Sequence, residues 1–106
     1  DKRTLEDCAL ANIEEIEKKI HDNRRKVILF AHTLKDYLEV KMGIREELTY
    51  SKLIEKLKES DVISDELKEK LADFFRKLIL FEYANIGEIE APYVKALAQQ
   101  VIGKRD

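Results

Sequence analysis

The stretch FFRKLILFEYANI, Phe74 to Ile86, decides how this chain folds. Its apolar residues return every three or four positions, which is the period of an α-helix and not of a strand. Leu67, Leu71, Phe74, Phe75, Leu78, Ile79 and Phe81 together cover well over half of one helix circumference. This predicts a central helix surrounded by neighbours, rather than one lying at the surface. Ser64 caps its start, and Asp65 and Glu66 complement the positive end of its dipole.

Outward from that stretch, three glycines and one proline in 106 residues leave few breaks, and the same period governs every long segment. Helix one begins after Thr4, where an acid three residues on completes a capping box, and its stripe is Leu5, Ala9, Ile13, Ile16 and Ile20. Helix two runs from about Asn23 to Met42, turns Val27, Phe30, Ala31, Leu34, Tyr37 and Leu38 inward, and stops at Gly43 in a left-handed conformation. The short connection between these two predicts an antiparallel pair. Thr49 or Ser51 caps a third, shorter helix carrying Leu53, Ile54 and Leu57 and ending near Ser60. After the turn ANIGEIEA, Pro92 opens a last helix with Val94, Leu97, Ala98, Val101 and Ile102, which Gly103 and the charged residues Lys104 and Arg105 terminate. The expected fold is all-α, a compact antiparallel bundle of four to five helices forming one domain over residues 1–106.

Charge is high and nearly balanced, with 20 Lys and Arg against 22 Asp and Glu. Such a surface has no global attraction for phosphate backbones, so nucleic acid is the less favoured partner. Cys8 is the only cysteine, which precludes an internal disulfide and points to a reducing, cytoplasmic setting. No apolar run is long enough to span a bilayer. The first residue is Asp and not Met, so processing or a domain taken from a longer protein is expected.

The residues that could carry chemistry do not assemble into a reaction centre. His21 and His32 lack the Glu-x-x-His spacing of carboxylate-bridged metal bundles, since Lys18 and Leu29 stand three residues before them. His32 is expected to be partly buried and to meet Asp36, and His21 to complement a helix end. Cys8 beside His32 has no third orienting group, and core packing is the favoured reading of this thiol. Tyr37, Tyr50, Tyr83 and Tyr93 are scattered, so each is expected to pack on the core with a wet hydroxyl. No metal, cofactor or catalytic residue is expected. Arg24, Arg25 and Lys26 form a basic cluster at a helix start, where N–H groups also attract anions. With Arg76 they are the candidate contacts for an anion or RNA, although a solvated turn is the favoured reading of the cluster.

FRKLILFEY, Phe75 to Tyr83, resembles the signature of the HEPN superfamily in its HepT-like toxin branch: Phe-Arg-Asn, two or three aliphatics, His, any residue, Tyr. Phe75, Arg76, Leu78 to Leu80 and Tyr83 match, and the preceding segment Leu48 to Leu71 is also similar. Lys77 stands in place of Asn, and Phe81 in place of the His that moves a proton in that family. The resemblance therefore implies a catalytically silent RNA- or nucleotide-binding protein of a toxin–antitoxin type system, retaining Arg76 alone.

A second resemblance covers about Ile13 to Ala84. FAHTLKDYLEVKMGI (30–44), ELTYSKLIEKL (47–57), DELKEKL (65–71) and FEYA (81–84) are similar to the cytosolic helical tail of BatD-like and transglutaminase-associated membrane proteins. Tyr37, Leu38, Lys41, Leu48, Thr49, Tyr83 and Ala84 fit that pattern, while Glu82 replaces an Arg. It implies a non-enzymatic module at the cytosolic face of a membrane, and accounts for the missing initiator. The leading expectation is a non-catalytic helical protein-interaction or regulatory module with a protein partner. The silent HEPN-like protein is the alternative, and a homodimeric structural domain a third reading.

Overall fold

A computed structural model describes residues 3–103, so the expectation for Lys104 and Arg105 lies outside the described residues. The chain is all-α, with five helices and no strand among the described residues: α1 (Leu5–Lys19), α2 (Asn23–Lys41), α3 (Tyr50–Glu59), α4 (Asp65–Tyr83) and α5 (Ala91–Ile102). Its residues group into two compact units. One holds the chain up to Tyr37 together with the part from Ile89 onward, and the other holds Leu38–Glu88.

In the first unit, the Thr4 hydroxyl accepts from the Asp7 N–H at 3.0 Å while the Asp7 carboxylate accepts from the Thr4 N–H at 3.3 Å, so the expected capping box opens α1. Side-chain bonds join α1 to α2: Tyr37 donates to Glu6 at 2.8 Å, Asn12 to Thr33 at 2.6 Å, and Lys26 to Glu17 at 2.6 Å. Partners climb along α1 as they descend along α2, which makes the pair antiparallel. Ile13, Val27, Phe30, Ala31 and Leu34 are fully buried in this unit, as are Val94, Ala98 and Ile102 of α5. Packing of α5 on α1 is fixed at the rim by Lys95, whose ammonium lies 3.5 Å from Glu14 and 3.4 Å from Glu17. Pro92 falls at the second position of α5, one later than expected; neither first-turn N–H has an intrahelical acceptor, so both positions tolerate proline.

The second unit begins with the end of α2. Gly43 adopts φ 73° and its N–H donates to Val40, while the Ile44 N–H reaches the Glu39 carbonyl at 2.8 Å, a Schellman stop that few residues other than glycine adopt easily. Of the two caps foreseen for α3, Thr49 fills the role, accepting from the Lys52 N–H. Pairing of α3 and α4 buries Leu53 and Leu57 with Leu71, Phe74, Phe75 and Leu78. Tyr50, the first residue of α3, stacks on Phe75 at 5.6 Å and donates to Glu82 at 2.9 Å near the end of α4, so these helices are also antiparallel. Each buried large side chain contributes about 1.5–3 kcal/mol.

Several expectations about exposure are corrected. α4 is not enclosed: Glu69, Lys70, Asp73, Arg76, Lys77, Leu80 and Tyr83 form a continuous exposed stripe along it. Its buried residues occupy one broad side, and these seven share the other at helical spacing. Cys8 is exposed because it shares a face with Asn12, Glu15 and Lys19, one residue's rotation away from the Ala9, Ile13, Ile16 stripe. His32 is exposed rather than partly buried. Tyr37 and Tyr50 are core residues, but Tyr83 and Tyr93 are 72% and 54% exposed.

Candidate functional site

The basic residues singled out in the sequence do not share one place. Arg24, Arg25 and Lys26 form the first turn of α2 in the first unit, and Arg76 lies on the exposed stripe of α4 in the second. The anion position at the start of α2 is occupied by the chain itself: the Asp22 carboxylate accepts from the Arg25 N–H at 2.9 Å. Lys26 is mostly buried and turned onto Glu17. That bond, reinforced by Lys95, holds the Glu17 carboxyl below its ordinary value against the opposing effect of burial. The cluster is thus largely spent on internal pairing.

Arg76 is different. Asp73, one turn before it, is engaged with Lys77 at 3.0 Å, and Arg76 has no carboxylate partner among the described residues. On one side it borders an open groove where the end of α3 meets the start of α4, lined by Lys58, Asp65, Lys68, Glu69 and Asp73. Both signs of charge alternate there, with Lys68 3.6 Å from Asp65, so the groove selects neither anion nor cation. Position 81, five residues on, is turned about 140° away around the helix, and Phe81 is buried. Arg76 and the side chain at 81 therefore do not converge on a common point of this helix. Nor do three His, Cys, Asp or Glu side chains come together as a metal-holding group among the described residues.

On its other side Arg76 leads into an apolar patch that sequence reasoning missed. Leu80, Tyr83 and Ile86 are 48%, 72% and 56% exposed. Ala84 is the C-cap of α4, Asn85 takes the left-handed φ of 57°, and the Ile86 N–H donates back to the Leu80 carbonyl at 2.9 Å. This return brings the backbone of Ile86 beside Leu80, so the three side chains line one end of one element. Asparagine tolerates that backbone conformation better than other residues with a Cβ. The Tyr83 ring lies 6.2 Å from that of Tyr50, and partial burial with the charge of Glu82 raises its hydroxyl pKa. It is a neutral phenol throughout the physiological range. α4 also lacks a basic residue in its last turn, unlike α1, α2 and α3, so its own side chains leave the negative end of its dipole uncompensated. Leu80 stands outside the apolar stripe read from the sequence, on the Arg76 and Tyr83 side of α4, and Ile86 stands in the turn beyond the helix.

No helix among the described residues is long and apolar enough to cross a membrane. The chain matches no protein-family model, no curated protein and no solved structure.

Proposed function

We propose that this chain is a non-catalytic protein-interaction module that binds through the exposed face at the end of α4. The observation that carries the reading is the grouping of Leu80, Tyr83 and Ile86 in one exposed patch beside Arg76, which has no carboxylate partner among the described residues. Apolar patches of about 300–600 Å² on a soluble domain are often functional, and Tyr and Arg are the residue types that dominate binding energy at protein interfaces. The exposed thiol of Cys8 suits a reducing compartment, and we place the module in the cytoplasm.

A photo-crosslinking residue placed at Tyr83, with a control at Glu55 on the exposed side of α3, tests this in cells. Adducts with protein from position 83 and none from position 55 are expected; equal yields from both would refute it. The alternative is a silent RNA-binding protein of HEPN type, supported by Arg76 standing without a carboxylate among the described residues. Its mark would be a salt-sensitive electrophoretic shift with RNA that disappears in Arg76→Ala.

A further inference from the structure

We infer that the partner of this face is a second copy of the chain, in a two-fold, antiparallel pairing of α4 with α4 centred on Leu80. The inference rests on the interaction reading given above. A two-fold interface requires a surface complementary to itself, and the end of α4 has that property. Reversed about Leu80, the helix sets Leu80 on its own copy. Lys77 and Arg76, which precede Leu80, then meet Tyr83 and Ala84, which follow it on the other copy.

Arg76, without a carboxylate among the described residues, comes beside the ring of the exposed Tyr83, where a cation is attracted to the π face, and Lys77, which also pairs with Asp73, lies next to it. The same two cations arrive at the end of α4, whose last turn carries no basic residue of its own. Ile86, held beside Leu80 by its returning N–H, enlarges the apolar centre on both copies. With a formal charge of −2 per chain, two copies repel one another only weakly.

The area sets the strength. Three partly exposed side chains and two basic stems bury on the order of 1,000 Å² in total, at the low end of specific interfaces. The dimer is accordingly weak, with a dissociation constant on the order of 0.1 mM, and forms at high local concentration.

Sedimentation of the whole chain from about 10 µM to about 1 mM reads this directly, a range chosen to bracket that constant. The expected result is a monomer passing to a dimer. Leu80→Asp, which sets two carboxylates against each other on the axis, abolishes the dimer. Arg76→Glu and Tyr83→Ala each weaken it about tenfold or more, whereas Tyr83→Phe, which keeps the ring, leaves it unchanged. Helical circular dichroism and melting of each variant confirm that it is folded, as expected for surface positions. A monomer at every concentration overturns the inference, as does association that survives Leu80→Asp or is lost in Tyr83→Phe. Should the chain stay monomeric while crosslinks from position 83 still reach a different protein, self-pairing fails and the interaction reading stands.

Discussion

The side-chain amide of Asn23 holds the backbone at the entry to Ala91. Its oxygen accepts from the Ala91 N–H at 2.8 Å and its nitrogen donates to the Ile89 carbonyl at 2.9 Å. Glu90, the residue in the N-cap position of α5, makes no side-chain cap bond, so Asn23 serves as the cap from the first turn of another helix. Removing it in Asn23→Ala leaves one orphan donor and one orphan acceptor, and is expected to cost about 1–2 kcal/mol in urea unfolding. Asn23→Asp keeps the acceptor and loses the donor, so it falls between Asn23→Ala and the unmodified chain. A neutral Asn23→Ala would contradict this role.

A buried polar device stands at the start of the second unit. Glu39 is buried on α2, and its carboxylate accepts from the Leu48 N–H at 2.9 Å across the loop that leads to α3. Glu39→Gln retains an acceptor and is expected to change stability little. Glu39→Ala strands the Leu48 N–H and is expected to cost about 1–3 kcal/mol, with faster hydrogen exchange at Leu48 than in the unmodified chain. Equal stability of Glu39→Gln and Glu39→Ala would rule the bond out as a stabilising contact.

The Glu17 pair gives the fold a dependence on acid. The hydrogen bond from Lys26, with Lys95 nearby, lowers the folded-state pKa of Glu17 from its ordinary 4.5. A depressed carboxylate contributes stability that is fully present above the unfolded value and is lost as pH falls through the folded one. Below pH 4.5, therefore, stability decreases partly through this group, and Glu17→Gln flattens that portion of the pH curve. Raising salt has the same effect, since the Glu17 side chain is 38% exposed and therefore screened. An unchanged slope in Glu17→Gln would show that other carboxylates carry it.

Helix identity and most of the buried set were legible in the sequence because both follow from local rules. Thr4, Thr49, Ser64 and Gly43 mark ends by chemistry that acts within three or four residues, and the inward residues of α2 are all buried as expected. Contacts between segments distant in sequence were not legible. Asn23 reads as an ordinary helix start, and nothing local says that it serves Ala91 sixty-eight residues later. Nor was the exposure of Leu80 and Ile86 legible, since periodicity measures how much apolar surface a helix has and not which side a neighbour covers. The same ambiguity hid the exposure of Cys8 and Tyr83. The candidate cations could be named but not ranked: among the described residues Lys26 is tied to Glu17 and Arg76 to no carboxylate, a difference made by tertiary placement.

The account depends on α4 having a structural side and a free side within the same run of residues. Phe81 is 7% exposed and Tyr83, two residues later, is 72% exposed. Paired urea unfolding of Phe81→Ala and Tyr83→Ala tests this most directly. The expected loss is about 3–5 kcal/mol for Phe81→Ala and below about 1 kcal/mol for Tyr83→Ala. Losses of similar size in the two variants, or a neutral Phe81→Ala, would contradict it.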